Sequence, residues 1–446
     1  MKLFTYRLFY FSYGVQRKLI RRVTVSGMAV VVVAIAAALT GSSNESMNYQ
    51  LVSFLLSILT ISIVFSLWFR YQFSANRYLP RFATVGVKIK YKIVIHNKSS
   101  KIQKGLKLFE NFADPRPNFK EFRETSATIK AKNNSFVQAL GYDRWLWLIT
   151  RKQGGKALPI DLPALAPHSK TEVICEIIPH HRGVIRLMGM TVARPDPFGL
   201  VNACATISLP QSLLILPKLY QLPAIQLPGT KRYQSGGVAL ASSVGDSEEF
   251  RSLRDYRPGD SLRKIHWKSW AKIGKPIVKE EQDEFFVRHA LILDTFQSVN
   301  YSEILEAAIS IAASLACEVQ TQESLLDLMF VGNEAYCFTF GRGLSHTDRM
   351  LEIIASVIPC RDKSFDSIIP VLIEKLTLLS GCICIFLTWD ADRERLVNYL
   401  KNMGIHTLVL MITDKEDNFD LNLMNDQLIS FRILKLGKIQ EELMHI

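Results

Sequence analysis

Residues 288–298 read Arg-His-Ala-Leu-Ile-Leu-Asp-Thr-Phe-Gln-Ser. Ala290 to Leu293 is an unbroken apolar run that stops on an aspartate, the pattern of a strand buried on both faces. Outward from it the chain alternates: an amphipathic helix over Ser302 to Val319, a strand over Leu325 to Val331, and helices over Asp348 to Val357 and Ser367 to Leu379. A strand over Cys382 to Leu387, a helix over Arg393 to Met403 and strands over Thr407 to Ile412 and Ile429 to Leu434 complete the series. Strand and helix in alternation predict an α/β fold, a doubly wound and mostly parallel sheet across residues 286–446. Such sheets place ligands at the carboxyl ends of their strands, where Asp294 stands.

Upstream the period changes. Val85, Val87, Ile89, Tyr91, Ile93 and Ile95 alternate with Lys88, Lys90 and Lys92, a half-buried strand with a lysine-bearing outer face. Strand-like runs recur at Thr171 to Ile178, Gly183 to Val192 and Ala205 to Leu216, with turn chemistry at Asp196-Pro197-Phe198-Gly199. Residues 82–220 therefore read as a mainly antiparallel domain of β-sandwich type. Asp114 to Gly155 is less regular, a long insertion or strands of no clear pattern. Residues 221–244, rich in Pro, Gly and Gln, read as a linker.

The 446 residues carry a formal charge of +13 that is unevenly spread. Residues 1–100 hold 13 basic groups and 1 acidic group, whereas residues 301–446 hold 12 and 21. The basic end flanks two uncharged apolar stretches, Val23 to Thr40 and Leu51 to Phe69 (residues 23–40 and 51–69), each close to the roughly 20 residues a membrane helix needs. Arg17, Lys18, Arg21 and Arg22 precede the first; Arg70, Arg77 and Arg81 follow the second; the connection between them has no Lys or Arg. The positive-inside rule then puts residues 1–22, a basic amino terminus, and the bulk of the chain in the cytoplasm, as a multi-pass inner-membrane protein. The lysine-faced strand is expected against the anionic inner leaflet, making membrane lipids a partner. Seven cysteines, an odd number in apolar contexts, argue against a disulfide framework.

Residues 245–285 form the densest charged segment. Nine basic and nine acidic groups between Asp246 and Glu284 cancel, and a nucleic-acid groove needs uncompensated positive charge, so no nucleic-acid partner is expected. Pro258-Gly259-Asp260 makes a turn, with Asp260 expected to cap a helix from Ser261 to about Ile273. Arg251, Arg254 and Arg263 suit forked pairs with Asp255 or Asp260. The segment reads either as an ion-paired brace between the β and α/β domains or as a partner site.

Glu249-Phe250-Arg251, Arg254-Asp255-Tyr256, Pro258-Gly259-Asp260, Arg263 and Ile265-His266-Trp267-Lys268, with Asp196-Pro197-Phe198-Gly199-Leu200 and two amino-terminal membrane helices, resemble the bacterial domain-of-unknown-function 58 family. The resemblance implies a carboxyl domain similar to a von Willebrand factor A domain. It also implies partnership with a MoxR-type AAA+ ATPase and, in some members, with a transglutaminase-like membrane protein. Its signature residues here are Arg251, Arg254, Tyr256, Gly259, Asp260, Arg263, His266, Trp267 and Lys268. A working A domain holds Mg²⁺ with an Asp-x-Ser-x-Ser loop and a later Thr and Asp, since a hard cation wants oxygen ligands. Here Asp294 and Ser298 match, Phe296 stands at the middle serine, and Asp390 takes the place of the later aspartate. The resemblance thus implies a degenerate domain kept as a docking surface, or a weak Mg²⁺-type site on Asp294, Ser298 and Asp390. No phosphate-cradle motif Gly-x₄-Gly-Lys-Ser/Thr, no His-Glu-x-x-His and no Gly-x-Ser-x-Gly occurs. The expected function is a membrane-anchored, non-catalytic scaffold without a cofactor.

Overall fold

The structure, a computed structural model, describes residues 2–40, 46–67, 72–124, 141–223, 250–260, 262, 265–281, 288–299, 301–321, 325–341, 344–414 and 427–445. The chain divides into two units, Met1–Lys218 and Leu219–Ile446.

The first unit opens with three helices, α1 (Lys2–Arg22), α2 (Val25–Thr40) and α3 (Ser46–Leu67). Its strands are β1 (Phe73–Tyr78), β2 (Phe82–Thr84), β3 (Ile89–Asn97), β4 (Lys107–Phe112), β5 (Gly155–Ala157), β6 (Ile160–Asp161), β7 (Lys170–Pro179), β8 (Gly183–Pro195) and β9 (Asn202–Leu216). They form one sheet in the order β1-β3-β7-β5 and another in the order β2-β9-β8-β4-β6. Both are antiparallel except for the β2/β9 pair. Tyr91, Ile93 and Ile95 of the first sheet share a core with Leu108, Leu187, Val192 and Leu213 of the second. Inside that core Arg77 makes a forked pair with Glu110, at 3.2 and 2.8 Å, and Tyr91 donates to the same carboxylate at 2.7 Å.

The alternation after Val85 becomes a strand only from Ile89, because Gly86 turns the chain there with φ 79°. The lysines of that face are exposed and ion-paired. Lys88 lies 2.6 Å from Glu176 and Lys92 lies 2.6 Å from Glu172, both on β7. Cross-strand pairs within the sheet thus balance part of the positive charge on this face.

Met47–Leu67 is one helix long and apolar enough to cross a membrane, and Val25–Leu39 is apolar but shorter. The expected start at Val23 shifts because Val23 bridges to Val201 and the Thr24 N–H donates to the Leu200 carbonyl at 3.1 Å, so α2 begins at Val25. Its 16 residues span about 24 Å. Asp196 builds the turn that holds this junction, accepting N–H groups of Phe198, Leu200 and Val201 at 3.1, 2.7 and 2.8 Å. Burial pushes its carboxyl up, and these backbone donors outweigh burial and leave it below the usual carboxylate range. Gly27 packs so closely on the turn that a Cβ there would lie 2.1 Å from the Leu200 oxygen. The Asp-Pro-Phe-Gly-Leu turn is therefore a socket for the first apolar helix.

Among the described residues, the irregular middle of the sequence contains two helices, α4 (Phe119–Glu124) and α5 (Tyr142–Gln153). Trp145 of α5 is buried with Phe122 of α4 against Tyr6, Phe9 and Tyr13 of α1. The basic amino terminus is thus a packed helix.

In the second unit, the first element among the described residues is a hairpin of β10 (Phe250–Asp255) and β11 (Ile277–Glu281) enclosing the short helix α6 (Trp267–Ile273). Six strands follow: β12 (Arg288–Leu293), β13 (Leu325–Val331), β14 (Ala335–Phe340), β15 (Gly381–Phe386), β16 (His406–Thr413) and β17 (Ile429–Lys435). Their order is β14-β13-β12-β15-β16-β17, parallel throughout except for β14. Among the described residues, the intervening helices are α7 (Glu303–Thr321), α8 (Leu344–Ser356), α9 (Ile369–Lys375) and α10 (Ala391–Asn402). The expected single helix over Ser367 to Leu379 is broken, with 3₁₀ turns at Phe365–Ile368 and Leu376–Leu378 on either side of α9. β12 is buried along its whole length. From β12 the chain goes first to β13 on one side and later to β15 on the other, so the β12/β15 carboxyl ends are the topological switch point.

Candidate functional site

Asp294 and Asp390 meet at that switch point, and what joins them is Arg393. The Arg393 guanidinium donates to Asp294 through Nε at 2.7 Å and pairs with Asp390 through a second nitrogen. Asp294 also accepts the N–H groups of Phe296 at 3.0 Å and Leu387 at 3.1 Å. Burial pushes its carboxyl above the usual range, with Arg393 and the two backbone donors pulling against the shift. Asp390 caps α10 by accepting the Arg393 N–H at 3.1 Å. The Phe365 ring covers the guanidinium at 4.7 Å and packs edge-on against Phe296 at 5.5 Å. Ser298 is exposed on its loop and takes no part in these hydrogen bonds.

This donor set does not fit the Mg²⁺ that the resemblance implied. The Asp294 lone pairs are taken by three donors, and a fixed positive charge occupies the gap between the two carboxylates. Phe296 supplies a ring that braces the one covering Arg393, where a serine would have supplied an oxygen. Among the described residues, no group of three or more His, Cys, Asp or Glu side chains suits a metal ion. The arrangement is an ion-pair network in which two carboxylates share one guanidinium, buried at Asp294 and Arg393 and 47% exposed at Asp390, and it holds the loops in place.

The signature residues form a second cluster around the β10/β11 hairpin. Arg254 grips Asp260 through both terminal nitrogens, each contact 2.7 Å, and the Arg257 N–H adds a third bond at 2.8 Å. These contacts, the Arg254 pair first, hold the Asp260 carboxyl down at about 2. Asp260 therefore closes its own turn, in which Gly259 takes φ 109°, and does not cap a helix. The helix starts instead at Trp267, after the His266 N–H has joined the Ile277 carbonyl at 2.8 Å. His266 Nδ1 and Ser269 Oγ lie 2.7 Å apart, a bond that orients the ring toward the helix. Tyr256 is half-buried and its N–H donates to the Pro276 carbonyl at 3.0 Å. Arg263 and the Arg251 side chain lie outside the described residues. The charged pair described in this module is local to it, six residues apart, and does not span domains.

The other face of the module is uncovered. Trp267 is 64% exposed and stacks on Trp270 with ring centroids 5.1 Å apart and planes 21° apart. Leu253, Leu262 and Ile273 are exposed beside them in the chain, and among the described side chains of the module the buried apolar ones are Ile265, Ile277 and Val278. Lys268, Lys272 and Lys275 are exposed along the helix and the turn after it.

Residues 252–377 match a family model described as "Protein of unknown function DUF58". The match starts in the β10/β11 module and runs through β12, β13 and α9, so the DUF58 domain includes Asp294 and leaves Arg393 outside. The uncharacterized protein YeaD of Bacillus subtilis is 27% identical over 176 residues, which make up 39% of this chain and 42% of YeaD. The chain thus spans less than half the length of this curated relative. A CARDB domain of Pyrococcus furiosus is 10% identical at a TM-score of 0.18, covering 33% of this chain and 96% of that domain. A PapD-like domain of human CEP192 is 11% identical at the same TM-score of 0.18, covering 33% and 86%. At that score neither likeness carries an argument.

Proposed function

We propose that this chain is a membrane-anchored, non-catalytic scaffold whose bulk faces the cytoplasm, anchored by two helices and carrying a β-sandwich and a von Willebrand factor A-like domain. Its DUF58 signature module docks a protein partner, a MoxR-type AAA+ ATPase, with a transglutaminase-like membrane protein as a further member of the assembly. The observation that carries this reading is the stacked Trp267–Trp270 pair, with Trp267 exposed, on the helix of a module whose preceding turn is braced by Arg254 and Asp260. A module with so small a core that still presents two stacked indoles is built for contact, because Trp anchors supply large buried area at low entropic cost and dominate interface hot spots. Its lysine rim favours an acidic surface on the partner. The basic flanks of the apolar helices support the orientation.

The alternative, a metal-dependent ligand site on Asp294, Ser298 and Asp390, is disfavoured by Arg393. Co-purification of the ATPase with the full chain from solubilised membranes tests the docking. Trp267→Ala is expected to cut the recovered ATPase by tenfold or more, the scale of a Trp hot spot of about 2 kcal/mol. Equal recovery with wild type and variant would overturn the role given to the module.

A further inference from the structure

Helix α1 has two apolar faces, and the fold uses one of them. Tyr6, Phe9 and Tyr13 pack on Trp145 and Phe122, and the Tyr6 hydroxyl donates to the Pro117 carbonyl at 3.1 Å. Arg17 donates to the Phe112 carbonyl, and Arg21 to Asn111 Oδ1 at 2.6 Å. With this side fastened, the helix cannot roll. The opposite side carries Phe4, Leu8, Phe11, Val15 and Leu19, whose spacing of four, three, four and four residues lines up one stripe. All five are exposed, Phe4 by 73% and Phe11 by 72%. Arg7, Lys18 and Arg22 are exposed along the same side, and the first 44 residues contain no Asp or Glu. Two residues, Val23 and Thr24, separate α1 from the apolar helix α2, and both are pinned to the Leu200 turn.

We infer that α1 is an in-plane interfacial helix that seats the first unit on an anionic lipid surface. Its stripe enters the headgroup–acyl boundary to a depth of about 5–10 Å, and Arg7, Lys18 and Arg22 reach lipid phosphates. The inference rests on the reading of α2 and α3 as membrane anchors and adds a contact that the anchors do not require. Lipid is the occupant because the stripe runs into an apolar helix two residues away and is flanked by positive charge alone.

The experiment places the photo-crosslinker p-benzoylphenylalanine at Phe11, at Leu56 of α3, or at exposed Ile174 of β7, in the full chain reconstituted in phosphatidylethanolamine–phosphatidylglycerol bilayers. Mass spectrometry then identifies the adducts. Lipid adducts at positions 11 and 56 but not 174 are the expected result, with phosphatidylglycerol enriched at position 11 over its share of the bilayer. Adducts at 56 alone, protein adducts at 11, or equal lipid adducts at 174 would overturn the interfacial helix and leave the anchor standing. No adducts at either 11 or 56 would remove the anchor reading as well. The triple variant Arg7→Gln, Lys18→Gln, Arg22→Gln should lose the enrichment at position 11, and an unchanged enrichment would refute the part given to charge.

Discussion

Arg393 shows how one side chain changes what a site can do. A carboxylate that is 1% exposed needs a counter-charge, and here the chain supplies it from within, three residues after Asp390. Removing one partner of a buried pair costs about 3–5 kcal/mol, because the other charge stays buried and unpaired. Arg393→Ala should therefore lower the melting temperature of the full chain in detergent. Millimolar Mg²⁺ should restore part of the loss in the variant and leave the wild type unmoved. A wild-type melting temperature that rises with Mg²⁺ would refute the account of the site. Asp294 and Asp390 are legible in the sequence as strand-end acids, whereas Arg393 is not, since it looks like one more charged residue on an exposed helix. The readable signal is its spacing: an aspartate at a helix start followed by arginine at i+3 can cap and pair at once. The aromatic cover is hidden for another reason, because Phe365 and Phe296 are 69 positions apart and only the fold joins them.

Among the elements, most strands after Arg288 are legible because burial on both faces demands apolar runs, such as the four residues Ala290–Leu293 and the five residues Leu408–Ile412. The edge strand β14 is not, since its half-exposed Ala335–Phe340 satisfies neither a buried nor a strictly alternating pattern. The short helix α6 starts later than its charges suggest because Asp260 goes to Arg254, the forked pair the sequence offered, and not to a helix end at Ser261. Helix α1 is concealed by its six basic residues, which draw attention away from two apolar faces. The central strand pair β12/β15 carries a pH-dependent weakness. His289 is buried opposite Gly381, whose Cβ position would lie 3.0 Å from the ring, and burial pushes its pKa down to about 4. The imidazole is thus neutral in the folded chain. Above its ordinary value of about 6.5 it has no effect on stability, and between 6.5 and 4 the unfolded state binds the extra proton, so stability falls with falling pH by up to about 3 kcal/mol. Thermal unfolding of the full chain from pH 7 to 4 should show this loss, and His289→Phe should remove it while changes from carboxylates remain. The same slope in both proteins would contradict the assignment.

For the whole molecule, the charge gradient acquires structural detail. The basic end comprises a packed helix with a lipid-suited stripe, a socket for the first apolar helix, and Arg77 buried in a core ion pair rather than free at the membrane. Two clusters differ in character: an open aromatic surface on the hairpin module, and a closed ion-pair network at the strand ends, of which Asp294 lies inside residues 252–377 and Asp390 and Arg393 lie outside. The central claim is that the open surface does the docking and the closed network keeps the fold. Titrating the purified MoxR-type ATPase onto the full chain in nanodiscs, with wild type, Trp267→Ala and Asp294→Asn compared by equilibrium binding, separates the two. The account predicts that Trp267→Ala weakens the dissociation constant at least tenfold while Asp294→Asn, where it folds, binds as wild type does. Wild-type affinity in Trp267→Ala together with loss in folded Asp294→Asn would contradict it.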